Sequence, residues 1–120
     1  VLDNGDCFGA VASADGTAIA ARTLASGRVA IGVWDVATGM QRSVYPAASS
    51  GSYALSPSGK WLAIGDSNGS IQVFETATGN PKQLLRGHRG PIRSLDFSAN
   101  AARLVSGSTD GTALVWAVAE

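Results

Sequence analysis

The sequence predicts an all-β chain made of repeated antiparallel sheets, and three observations carry that expectation. Trp34, Phe74 and Trp116 stand 40 and 42 residues apart, and Ser13, Ser56 and Ser98 stand 43 and 42 apart. Between these anchors the apolar residues fall in short runs of period two, bounded by Gly, Pro, Asn and Asp turns. No stretch of a dozen residues carries the apolar stripe of an amphipathic helix, because Gly, Ser, Thr and β-branched residues interrupt all of them. A period of about 40 to 45 residues marks an array whose units bury their apolar faces against one another.

Three segments fall into one register on these anchors: VASADGTAIAARTLASGRVAIGVWDVATG, ALSPSGKWLAIGDSNGSIQVFETATG and DFSANAARLVSGSTDGTALVWAVAE. In the first two, turns at Gly16 and at Pro57 to Gly59 close the opening hairpin. In the third, Ile92, Leu95 and Phe97 form one strand, Ser98-Ala99-Asn100 a turn, Leu104 and Val105 a second strand, and Leu114 and Trp116 a third. Asn68-Gly69 and Asp110-Gly111 supply the positive backbone dihedrals of hairpin turns. Beyond the aromatic anchor, Thr38-Gly39 and Thr78-Gly79 turn into a fourth strand near Gln41 to Tyr45 and near Lys82 to Arg86. Four antiparallel strands per repeat describe a β-propeller blade. The expected division is blade 1 at about 1–45, blade 2 at about 46–86 and blade 3 at about 87–120, the last without its outer strand. About eleven strands and an incomplete ring of about three blades result.

Composition narrows the function classes. Nine basic and nine acidic side chains give zero formal net charge, so there is no electrostatic footprint for nucleic acid or an anionic membrane surface. No apolar run is long enough for a membrane-spanning helix. Cys7 and His88 are the only residues of their types, which excludes an internal disulfide and the usual Cys/His metal cluster. No cofactor motif is present: no helix follows a Gly-rich loop that could cradle phosphate. The chain opens on Val1, which reads as a processed chain or an excised fragment.

The third repeat resembles the WD-repeat family of β-propellers. Gly87-His88 precedes Ser98 by ten residues, LVSGSTDGTALVW follows, and Asp110 stands six residues before Trp116. The second repeat keeps the strand pattern but has Asn68 and Phe74 in the Asp and Trp positions; the first has Trp34-Asp35 but three extra residues between Ser13 and Trp34. The resemblance implies a buried hydrogen-bond network of His88, Ser106, Asp110 and Trp116 within blade 3, each group sparing another the cost of burial, about 1 to 3 kcal/mol. The first two repeats cannot copy it, with Asp3 and Pro46 at the His88 position and Ile64 at that of Ser106 in the second, so packing alone is expected to hold their blades. The resemblance also implies a partner-binding face on the loops that hold the Gly-His and Asp-Gly elements, which includes Arg89, Thr109, Asp66, Ser67, Asp3 and Arg22.

Other readings of these residues are weaker. Ser106, His88 and Asp110 match the types of a hydrolytic triad, but Ser106 sits in a predicted central strand without a nucleophile elbow, so catalysis is not expected. Asp66 to Ser70 looks like a calcium loop, yet its twelfth position is Ala77 and its glycine is misplaced, so a hairpin turn explains it and no metal is expected. Asn68-Gly69-Ser70 is a chance glycosylation pattern in that turn, and Cys7 reads as a small core residue. Arg86, His88, Arg89 and Arg93, extended by Lys82, form the densest basic cluster, which an ordinary solvated rim explains and which an acidic peptide or partner carboxylate would also suit.

Three blades bury only two of their contacts, leaving apolar faces and strand edges exposed. The expected function is a non-catalytic protein-interaction scaffold, a portion of a WD-repeat propeller with a protein or peptide partner. As a portion of a longer propeller the chain meets the remaining blades of that chain; the alternative is a self-assembling fragment, natural or engineered, that closes a ring by homo-oligomerisation with no external ligand, two copies making six blades and three making nine.

Overall fold

The computed structural model describes residues 6–25, 27–46, 52–100 and 102–118, with the side chains of 6–9, 24, 25, 28 and 46 outside the description. Its eleven strands form three antiparallel sheets. The first contains β1 (Asp6–Ala12), β2 (Ala18–Ala25), β3 (Arg28–Asp35) and β4 (Gln41–Pro46), in chain order. The second contains β5 (Tyr53–Leu55), β6 (Trp61–Gly65), β7 (Ser70–Glu75) and β8 (Pro81–Arg86), again in chain order. The third has β9 (Ile92–Phe97), β10 (Arg103–Ser108) and β11 (Ala113–Ala117), with β10 in the middle.

The recurring serines close each sheet's first described hairpin in one way. The Ser13, Ser56 and Ser98 hydroxyls accept the amide five residues on, from Ala18, Trp61 and Arg103, at 3.1, 2.9 and 3.1 Å. The serine amides donate to the carbonyls of the same three residues at 2.8, 2.9 and 2.9 Å. A short side chain that reaches its own turn is the physical reason for serine here. The Thr-Gly turns repeat as faithfully. Gly39 and Gly79 donate to the Asp35 and Glu75 carbonyls at 2.8 Å, and Thr38 and Thr78 accept the next-but-one amide at 3.2 Å.

Each sheet carries two cross-strand pairs back to back. On one face, called near, an aliphatic residue opposes the aromatic anchor: Ile19 with Trp34, Leu62 with Phe74, Leu104 with Trp116. On the far face, one position along, a small residue opposes valine: Ala20 with Val33, Ala63 with Val73, Val105 with Val115. The far face of the first sheet (Ala18, Ala20, Ile31, Val33, Tyr45) packs on the near face of the second (Leu55, Leu62, Ile64, Phe74). The far face of the second sheet (Ala54, Trp61, Ala63, Ile71, Val73, Leu85) packs on Ile92, Phe97, Leu104 and Trp116 of the third. Leu62, Ile71 and Leu104 are fully buried, and each such side chain contributes roughly 1.5 to 3 kcal/mol.

One turn is also a joint. Gly69 has φ +85°, and a Cβ there would lie 2.4 Å from the His88 carbonyl oxygen, so the β6–β7 turn rests on the loop leading into β9. Gly111, with φ +88°, has open space around it. Gly111→Ala should therefore cost about 1 to 2 kcal/mol from the backbone conformation alone. Gly69→Ala should cost that and about 1 to 3 kcal/mol more for the clash, measured as the difference in urea-unfolding free energy.

Candidate functional site

The loop between β8 and β9, Gly87 to Pro91, meets two hairpin turns. The Ile92 amide donates to the Asp66 carbonyl at 3.1 Å, joining it to the β6–β7 turn. The Thr109 amide donates to the Pro91 carbonyl at 3.1 Å and the Ser108 hydroxyl to the Gly90 carbonyl at 3.0 Å, joining it to the β10–β11 turn. Asp66 organises its own turn by accepting the Asn68 and Ser70 amides at 2.9 and 3.0 Å through one carboxylate oxygen. Ser67, Arg89 and Thr109 are exposed on this three-part cluster, while Asp66 is half-buried. Arg22 lies within β2 rather than in a turn, half-buried, with its guanidinium 5.3 Å from the Tyr53 ring centre. Asp3 lies outside the described residues.

Beneath the cluster runs a chain of hydrogen bonds in one direction. The Trp116 indole N–H donates to Ser106 Oγ at 2.7 Å, and Ser106 Oγ stands 2.7 Å from His88 Nε2. With a neutral imidazole protonated at Nδ1, the serine donates to Nε2 and Nδ1 donates onward to Thr112 Oγ1 at 3.0 Å. Thr112 in turn gives its hydroxyl proton to Asp110 Oδ1 at 2.5 Å. The direct separation of His88 Nδ1 and Asp110 Oδ2 is 3.4 Å, longer than either bond through Thr112. The four residues expected from the sequence are together, with a fifth between His88 and Asp110. Its signal was available: Asp-Gly-Thr at 110–112 also stands at 15–17, where Asp15 accepts both the amide and the hydroxyl of Thr17, at 3.0 and 2.7 Å.

Asp110 also accepts the backbone amides of Arg89 and Thr112, both at 2.8 Å. The Arg89 N–H first, then the Thr112 hydroxyl, hold its carboxyl well below the usual carboxylate range. The same carboxylate thus ties the exposed turn to the loop bearing Arg89.

At the Ser106 position the second sheet has Ile64 and the first has Ala21, both buried. The expectation that packing alone holds those blades needs correction. Arg42 of β4 reaches across to the second sheet, its Nη1 3.3 Å from the Gly59 carbonyl and 3.4 Å from Thr76 Oγ1, while its Nη2 lies 3.7 Å from Asp35. Thr76, fully buried, donates to the Gly59 carbonyl at 2.6 Å, and the Tyr45 hydroxyl lies 3.4 Å from the Glu75 carbonyl. Polar groups pin the first two sheets to each other, and the third sheet adds a network within itself to its bonds with the second, such as Ile92 to Asp66.

Ser106→Ala strands the Trp116 indole N–H and His88 Nε2 and should cost about 2 to 4 kcal/mol in urea unfolding. The Asp110 contribution to stability is fully present above roughly pH 4 and is lost as pH falls toward its depressed folded value. Asp110→Asn should accordingly flatten the acid limb of a stability–pH profile. An unchanged acid limb would refute that role.

The chain is similar in sequence and fold to known proteins. The family model of the WD domain, G-beta repeat, matches residues 39–75 and 79–117. Each matched stretch begins one strand before a sheet, at β4 or β8, and ends in its third strand, so a sequence repeat links two successive sheets. Periodic tryptophan protein 2 homolog of Neurospora crassa is 41% identical over 66 residues, 54% of this chain and 7% of that protein. Meiotic recombination protein rec14 of Schizosaccharomyces pombe is 31% identical over 105 residues, 84% of this chain and 33% of that protein. The crystal structure of RRP9 WD40 repeats matches with a TM-score of 0.76 at 27% identity, over 97% of this chain and 36% of that one. The chain therefore spans only a small part, up to about a third, of the relatives it matches. Its repeats, its stacked four-stranded sheets and these matches establish that the chain belongs to the WD40-repeat family of β-propellers.

Proposed function

We propose that the chain serves as a non-catalytic protein-interaction scaffold whose partner, a protein or peptide, docks on the loop cluster of Ser67, Arg89 and Thr109. The observation that carries this reading is a contrast within the cluster. Its backbone is tied down at Arg89, Thr109 and Ile92 by hydrogen bonds of 2.8 to 3.1 Å, while the three side chains stand in solvent. A fixed backbone with exposed side chains binds at little ordering cost, and such residues can vary without loss of the fold. Asp66 and Arg22 border this surface in our reading, and Asp3 belongs to it by sequence position.

The absence of catalysis in this reading rests on Ser106. Its hydroxyl is fully buried and engaged by both Trp116 and His88, so it has neither access to a substrate nor a free proton relay. The zero net charge favours a protein over nucleic acid or membrane as the partner. Locally the balance is basic, since Lys82, Arg86, Arg89 and Arg93 are all exposed, which favours an acidic segment.

Arg89→Glu should weaken binding of a glutamate-rich peptide roughly tenfold, the worth of one charge-assisted hydrogen bond of about 1.4 kcal/mol, in a calorimetric titration. The melting temperature should stay unchanged, because the Arg89 amide, not its side chain, bonds Asp110. Equal loss of stability would show that the side chain is structural instead.

A further inference from the structure

The second sheet has a packed neighbour on each face, and its outer strand β8 is nevertheless an open edge. The direction of the main chain along β8 follows from bonds at the two ends of β7. The Asp66 amide donates to the Ser70 carbonyl and the Glu75 amide to the Asn80 carbonyl, at 3.0 and 2.9 Å. Antiparallel pairing turns alternate residues to alternate sides, so Ser70, Gln72 and Phe74 serve β6 while Ile71, Val73 and Glu75 serve β8. Leu85, opposite Ile71, is therefore bonded to β7, and Leu84 and Arg86 turn their N–H and C=O groups outward. The Gln83 carbonyl keeps to this alternation, since it accepts the Gln72 side-chain amide from β7 at 2.8 Å.

The side chains on this edge are of two kinds. Leu84 is 47% exposed, and Lys82 and Arg86, two residues to either side, are exposed as well. From Thr76 to Leu95 the chain carries Lys82, Arg86, Arg89 and Arg93 and no acidic residue. Among the described residues no carboxylate forms an ion pair with Lys82 or Arg86. The equivalent strand β4 is closed to the same use. Tyr45 stands opposite Ile31 as Leu85 stands opposite Ile71, so Val44 and Pro46 are its outward pair, and a proline has no N–H to give. The β4 cation, Arg42, is already committed to Asp35 and the Gly59 carbonyl.

We infer that β8 takes an extended acidic segment of a partner protein as a fifth strand of the second sheet, with an apolar residue beside Leu84 and carboxylates beside Arg86 and Lys82. Main-chain bonds to the outward groups supply the affinity, and the alternate side chains supply the selectivity. Charge selects this occupant over a second copy of β8. An antiparallel pair of β8 strands would set cation against cation, and Pro81 with Lys82 blunts the edge against indiscriminate pairing. The inference shares with the loop-cluster reading only the acidic chemistry of the partner and stands on a different surface, so each can fail alone.

The test uses the 120-residue chain and a synthetic peptide, Gly-Glu-Thr-Val-Thr-Glu-Gly, in calorimetric titration and amide hydrogen exchange. Peptide should slow exchange of the Leu84 and Arg86 amides roughly tenfold or more and leave Gln83 and Leu85, already bonded to β7, within about twofold. N-methylation of the peptide amides that face β8 should weaken binding roughly tenfold or more, and methylation of the alternate set should leave it within about twofold. Both comparisons keep the wild-type chain, so neither depends on a variant folding. Arg86→Glu should weaken binding about tenfold with an unchanged melting temperature, because its side chain is exposed. Absence of binding at about 1 mM peptide overturns the inference. Equal sensitivity to the two methylated sets, or sensitivity to neither, overturns strand addition. Binding that responds to Arg89→Glu and ignores Arg86→Glu places the peptide on the loop cluster, which overturns this inference and leaves the loop reading standing. Protection of the same amides by raised chain concentration without peptide makes a second copy the occupant and likewise overturns it.

Discussion

Everything else in the structure rests on the stacking of two-sided sheets. A strand pair in this chain places an aliphatic–aromatic pair on one face and a small residue with valine on the other, and both are apolar. A sheet of this kind gains stability by burying an apolar face against a neighbour some 10 Å away. The aromatic anchor packs on that neighbour: Phe74, at the first junction, lies 4.5 Å centre to centre from the tilted ring of Tyr45, which the first sheet contributes.

Polar groups refine this packing differently at each place. In the third sheet an inward chain from Trp116 to Asp110 satisfies a buried serine and histidine and then surfaces at the Arg89 loop. At the junction of the first and second sheets, Arg42, Thr76 and Tyr45 instead reach carbonyl groups of the adjoining turns. Toward the third sheet, Gln83 of β8 reaches the Ala117 carbonyl at 3.4 Å, and Lys60 and Lys82 hold their ammonium groups about 5.0 and 5.4 Å from the Trp61 ring, favourable cation–π positions. The repeats share a packing code and have separate hydrogen-bond solutions, because a buried hydroxyl or imidazole demands specific partners whereas an apolar contact demands only shape.

This division explains how a rigid frame can carry a variable surface. Turn residues such as Asp66 and Asp110 spend their carboxylates on backbone amides, which fixes where Ser67, Arg89 and Thr109 stand without committing those side chains. A sheet stack holds its loops by main-chain bonds, so chemistry at the loop tips can change while the stack remains.

The sequence by itself determined the strand pattern, the repeat period and the turn positions, because each is written in local pattern or spacing, whereas the grouping of His88, Ser106, Asp110 and Trp116 came from the family resemblance. Period-two runs, Asp-Gly and Thr-Gly dipeptides, and the spacing from His88 to Trp116 all act within one repeat. Thr112 went unread because its role depends on three-dimensional placement: only in the fold does its hydroxyl stand 3.0 Å from His88 Nδ1 while bonding Asp110. Arg42 went unread because its acceptors lie 17 and 34 residues away on another sheet, and spacing along the chain says nothing about which turn a long side chain reaches. The tertiary structure alone decided that Val33, Val73 and Val115, identical in type and register, have different fates. Burial depends on what stands opposite a face, and that is a property of the stack, not of the residue.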